Sequence, residues 1–108
     1  MAYDEALADR IRDLLGNEPT LTEKKMFGGL GFMVGGKMAI AASSKGGILV
    51  RVDPAEGGEL MASTPARPME MRGREMKGWL RVDGADVADD DELERWVRRG
   101  VDYAWSLT

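Results

Sequence analysis

The sequence predicts an α+β domain of two layers: an antiparallel four- to five-stranded sheet packed with an N-terminal helix, a C-terminal helix and a short middle helix. Three observations lead there. Apolar residues recur at helical spacing near both ends of the chain, they alternate at strand spacing between residues 30 and 82, and Gly-Gly pairs punctuate that middle stretch. Strands grouped between helices, without βαβ alternation, place the chain in the α+β class. Its 108 residues fit one domain spanning 1–108 around one core.

The first helix is expected over residues 4–15. Leu7, Ile11, Leu14 and Leu15 form its apolar stripe, Asp4 stands at the N-cap, and Gly16-Asn17 closes its last turn. Glu18-Pro19-Thr20 prevents continuation. Leu30-Gly31-Phe32-Met33-Val34 and Lys37-Met38-Ala39-Ile40-Ala41 flank Gly35-Gly36, a dipeptide that supplies the two positive φ angles of a type I′ hairpin. Such a turn sets Met33 opposite Met38 and Phe32 opposite Ala39. Leu30, Phe32 and Val34 then share one face, and Met33, Met38 and Ile40 the other, so that neither face is polar.

After a turn at Ser43-Ser44-Lys45-Gly46-Gly47, the β-branched alternation of Ile48, Val50 and Val52 marks a third strand. Asp53-Pro54-Ala55-Glu56 has the form of a helix start, with an N-cap Asp, Pro at the first helical position and Glu completing a capping box. Gly57-Gly58 weakens that helix and Pro65 ends it. Pro68-Met69-Glu70-Met71-Arg72 and Met76 to Val82 alternate as one or two further strands. Asp89-Asp90-Asp91-Glu92 then opens the last helix with acids at its positive end, and Leu93, Trp96, Val97, Val101 and Ala104 form its buried stripe.

The chain contains neither histidine nor cysteine. Without them there are no disulfides, no thiolate nucleophile, no Ser-His-Asp triad and no ordinary zinc site. Acid–base catalysis would fall to carboxylates, Lys or Tyr with strongly shifted pKa values. The expectation is therefore a protein that is not an enzyme, with no catalytic residue, cofactor or metal. No apolar run approaches the ~20 residues of a membrane span, and the first five residues lack the basic start of a secretory signal. A cytoplasmic location without membrane contact follows as an expectation.

Three patterns invite a chemical reading. Gly31-Phe32-Met33-Val34-Gly35-Gly36-Lys37 matches the letters of a phosphate-binding P-loop, yet Met38 stands where a Mg²⁺-holding hydroxyl is needed and a strand pattern follows where a helix should begin. Gly29-Leu30-Gly31 lacks the third glycine of a dinucleotide fingerprint, because Val34 occupies it. Asp83, Asp86, Asp89, Asp90, Asp91 and Glu92 crowd oxygen ligands together, but not at the spacing of an EF-hand loop, and acids at a helix start account for them.

Charge separates along the chain. Residues 24–81 hold ten Lys/Arg against five Asp/Glu, while the segments on either side are acidic. Within the basic stretch, alternation puts Lys77, Trp79 and Arg81 on one strand face, with Arg67, Arg72 and Arg74 leading into it. Two cations beside an aromatic suit an acidic protein partner or a nucleic-acid strand; alternatively, Trp79 packs beneath a helix while Lys77 and Arg81 reach out to water. Met33 and Met38 add adaptable apolar surface that a further helix, a second copy of the chain in a homodimer, or another protein would cover.

The run Lys24-Lys25-Met26-Phe27-Gly28-Gly29-Leu30-Gly31-Phe32-Met33-Val34-Gly35-Gly36-Lys37-Met38 resembles the N-terminal domain of the TfoX/Sxy family, as do Ala66-Arg67-Pro68-Met69 and Met76-Lys77-Gly78-Trp79. The resemblance implies a fold similar to secretion-chaperone-like α+β domains and supplies no catalytic residues. Two-domain members are regulators of natural competence that act with the cyclic-AMP receptor protein at promoters. This chain ends after the first domain, so a stand-alone regulatory or adaptor domain is expected. Its first-choice partner is a protein, with transcription machinery implied by the resemblance. Direct nucleic-acid binding comes second, and an enzyme using buried carboxylates third.

Overall fold

Capping signals at the two ends of the chain act as the sequence predicts. In the computed structural model, which describes residues 3–16, 18–26, 28–71 and 73–107, the Asp4 side chain accepts the Leu7 amide at 3.1 Å and opens α1 (Glu5–Leu15). Asp89 likewise accepts the Asp91 amide at 2.8 Å and opens α3 (Asp90–Ser106). Between them lie β1 (Thr22–Met26), β2 (Gly29–Val34), β3 (Lys37–Ala42), β4 (Ile48–Arg51), α2 (Gly57–Ser63), β5 (Arg67–Met71), β6 (Arg74–Val82) and a 3-10 turn at Gly84–Val87. Asn17, part of the expected helix stop, lies outside the described residues. Among those residues, no helix is long and apolar enough to cross a membrane.

The strands form one antiparallel sheet in the order β1-β2-β3-β4-β6-β5. There are six strands where the sequence predicts four to five. The additional one, β1, reads Thr-Glu-Lys-Lys-Met and has no apolar alternation to reveal it. Pairing with β2 makes it a strand, and its charges suit an edge. A bidentate ion pair ties it to the helix layer: the Arg12 Nε and Nη2 atoms donate to the Glu23 carboxylate at 2.7 and 2.9 Å. Those hydrogen bonds from Arg12 hold the Glu23 carboxyl below its ordinary pKa, against a smaller opposing effect of burial.

Gly35 and Gly36 take the positive φ angles that the hairpin requires. Met33 faces Met38 as expected, but Phe32 faces Ile40 rather than Ala39, because the register shifts between Phe32 and Met33 and leaves Ala39 as an extra residue. This bulge corrects the expected faces: Ile40 turns inward beside Phe32, and both are wholly buried. Ala39 packs with Val34 and Ala104 of α3. At this place α3 lies almost on the sheet backbone, since a Cβ at Gly100 would overlap the Ala39 carbonyl oxygen.

The middle helix starts later than the sequence suggests. Asp53 Oδ1 accepts the Ala55 amide at 2.9 Å and the Asp53 carbonyl accepts the Glu56 amide at 2.9 Å, so residues 53–56 form a turn and α2 begins at Gly57 without a side-chain cap. Asp53 satisfies the local turn instead of a capping box. All three α-helices cover one sheet face: Ile11, Leu60, Leu93 and Trp96 pack with Phe32, Ile40, Ile48, Val50, Leu80 and Val82 in one buried cluster. The two-layer α+β architecture of the sequence reading is thus observed.

Candidate partner-binding surface

The inward strand residues fix which residues face outward. Since Ile48 and Val50 point into the helix-side core, Leu49 and Arg51 point to the other face. Cross-strand partners share a face, and the register therefore places Lys24, Gly31, Ala41, Leu49, Arg81 and Arg67 in one row across the outer side of the sheet. The row is apolar at its centre and cationic at both ends. Beside it Arg51 pairs with Trp79.

Met38, Ala41, Leu49 and Met69 pack together on this face with the half-buried Trp79 against them. Trp79 lies neither beneath a helix nor fully in solvent. Arg51 sits over its ring, 5.6 Å from the centroid, and 6.0 Å from that of Tyr103 on α3, so an aromatic from each layer holds the guanidinium. The second apolar face expected from Met33 and Met38 is present, with Met38 only 6% exposed and Met33 half-buried; Met38 is covered by its neighbours on that face, Ala41, Leu49, Met69 and Trp79.

Lys45, Arg67, Pro68, Glu70 and Arg81 line a concavity of about 470 Å³ at one end of the row. Arg67 is drawn toward Asp83, with which it forms an ion pair. Arg81 is less satisfied: its Nη2 reaches the Lys45 carbonyl only at 3.5 Å, and its Nε is buried without an acceptor. A buried donor with no acceptor is costly. Lys45, Arg67 and Arg81 can draw in a carboxylate or another oxyanion there, beside the Glu70 carboxylate that also lines the concavity.

Of the residues singled out from sequence, Arg67, Trp79, Arg81 and Met38 meet on this face. Arg74 and Lys77 are exposed farther along β6, where Gly78 at φ 83° and a shifted β5–β6 register break the alternation that grouped Lys77 with Trp79 and Arg81. Arg72 lies outside the described residues. Lys24, Lys45 and Arg51 belong to the surface although motif reading passed over them; for Arg51, the inward alternation of Ile48 and Val50 was the available signal.

The other sequence candidates have structural roles. The P-loop-like run forms β2 and the hairpin turn, and β3 follows it. In the acidic stretch Asp83 pairs with Arg67, Asp90 with Arg10 and Glu92 with Arg95, while Asp89 caps α3. Among the described residues no group of three or more acidic side chains converges as a cation site would need.

Comparison against protein-family models matches the TfoX N-terminal domain over residues 13–104. Comparison with curated proteins and with solved structures gives no match.

Proposed function

Since the chain belongs to the TfoX N-terminal domain family, we propose that it is a non-catalytic, cytoplasmic regulatory or adaptor domain that binds a protein partner through the outer face of its sheet. The observation that carries this reading is the cross-strand row with cations at both ends and an apolar centre. A protein segment presenting carboxylates beside apolar side chains has the matching chemistry. Transcription regulation, implied by the resemblance to two-domain family members, is the process in which to seek it.

Nucleic acid is the second reading, favoured by the Arg51–Trp79 stack and by the excess of cations on the strands. A pull-down from nuclease-treated native lysate, comparing the natural chain with Arg81→Met and Trp79→Ala, separates the two. The protein reading expects specific partners that survive nuclease and are lost with either substitution. Unchanged capture by both variants removes this face from consideration. A gel shift that weakens steeply with salt, together with loss of capture after nuclease, selects nucleic acid. Arg81→Met should keep the fold at equal or slightly higher stability, by up to about 1 kcal/mol, because it removes an unsatisfied donor.

A further inference from the structure

The helix layer carries a second surface of opposite charge. The helices α1 and α3 run side by side in the same direction. Arg10 of α1 donates to the Val87 and Ala88 carbonyls and to Asp90 at the start of α3, and beyond the other end of α1, Glu18 accepts the Trp105 indole N–H at 2.9 Å. Between these ties lies a groove of about 330 Å³ with Leu14, Val97 and Val101 on its floor.

Its rim is acidic. Asp13, Glu18 and Asp102 stand along it, and Arg98, the cation there, pairs with Glu94 at 3.4 Å. Helix C-termini add partial negative charge at the same end. The last turn of α3 has no basic residue, and Arg12 in the last turn of α1 is turned to Asp9 and Glu23. Large exposed apolar side chains gather here too: of the four such residues among those described, Leu14 (37% exposed), Trp105 (39%) and Leu107 (37%) lie at the C-terminal ends of these two helices.

We propose that this groove docks a basic amphipathic helix of a partner protein. A channel between two helices, here with Leu14, Val97 and Val101 among largely polar walls, takes a third helix whose aliphatic anchors at helical spacing meet those three side chains. Acidic rim and helix ends select Lys or Arg on the flanks of that helix. The proposal is independent of the sheet reading, since it uses another surface and the opposite charge.

The test is calorimetric titration of the full chain with a synthetic peptide of about five helical turns, Leu on one face and Lys on the other. A scrambled peptide of the same composition and a Leu/Glu counterpart serve as controls. The amphipathic Lys peptide should bind at least about tenfold more tightly than either, and Leu14→Asn and Asp102→Lys should each weaken it about tenfold, a change of 1.4 kcal/mol. Arg81→Met should leave it unchanged, so failure of the sheet reading does not touch this one. Both groove residues are exposed, and circular dichroism verifies that the variants fold; Asp102→Asn serves if the reversal does not. Equal binding of the scrambled or Leu/Glu peptide, or full affinity in the groove variants, overturns the proposal. So does sedimentation showing a dimer of the chain that Leu14→Asn dissociates, since the occupant would then be a second copy.

Discussion

Gly100 is the residue at which α3 touches the sheet backbone, and it has no room for even a methyl group, because the Ala39 carbonyl occupies the space. In an exposed helix interior Gly→Ala stabilises by about 1 kcal/mol through helix propensity. Here the sign should reverse. Gly100→Ala is expected to destabilise by roughly 1–3 kcal/mol, since α3 must lift from the bulge to admit the side chain. Urea denaturation of the two proteins checks it. Arg81 and Trp79 show the same dependence on neighbours: the sequence shows a cation and an aromatic two positions apart, whereas the buried Nε and the stack with Arg51 arise from β4 and β5 lying on either side of β6.

At the scale of elements, β1 depends on what lies beside it. Its own residues promise little β-structure, and it is held by the β2 ladder and the Arg12–Glu23 pair. Because folding lowers the Glu23 pKa, the pair contributes stability above the ordinary carboxylate range, and the contribution is lost as pH falls through the lowered folded-state value. Amide exchange in β1 should therefore quicken relative to β3 and β4 on acidification into that range, and Glu23→Gln should give the faster β1 exchange already at neutral pH. Equal protection of β1 in the natural chain and the variant at neutral pH would count against the tie. The middle helix shows a different limit. Asp53-Pro54-Ala55-Glu56 carries a helix-start signal, yet Asp53 closes a turn with Ala55 and the helix begins at Gly57.

For the whole molecule, one buried cluster draws on all three α-helices and on the inward faces of β2, β3, β4 and β6. Helix content and tertiary packing should consequently be lost together: far-ultraviolet and near-ultraviolet circular dichroism are expected to give one coincident thermal transition. Two separated transitions would show the layers folding independently. The same layering separates charge in space. Strands hold eight Lys/Arg against three Asp/Glu, and the three α-helices five against nine, so the basic middle and acidic ends of the sequence become a basic sheet and an acidic helical layer. The two proposed docking surfaces, the outer sheet and the α1–α3 groove, therefore carry opposite charge.

Sequence by itself determined what depends on neighbours along the chain. Asp4 and Asp89 cap helices because their side chains reach amides two or three residues on, Gly35-Gly36 turns because it tolerates positive φ, and the stripe from Leu93 to Ala104 marks the inward side of α3. Family resemblance was readable in the same local runs around Lys24 to Met38. Tertiary structure alone decided what depends on residues distant in sequence: β1 as a strand, Ile40 rather than Ala39 opposite Phe32, Arg51 on Trp79, and Leu14 beside Val101 in an acidic groove. The physical reason is that caps and turns are satisfied within a few residues, whereas an edge strand, a bulge and a binding surface take their energies from groups that only the folded sheet and helices bring together.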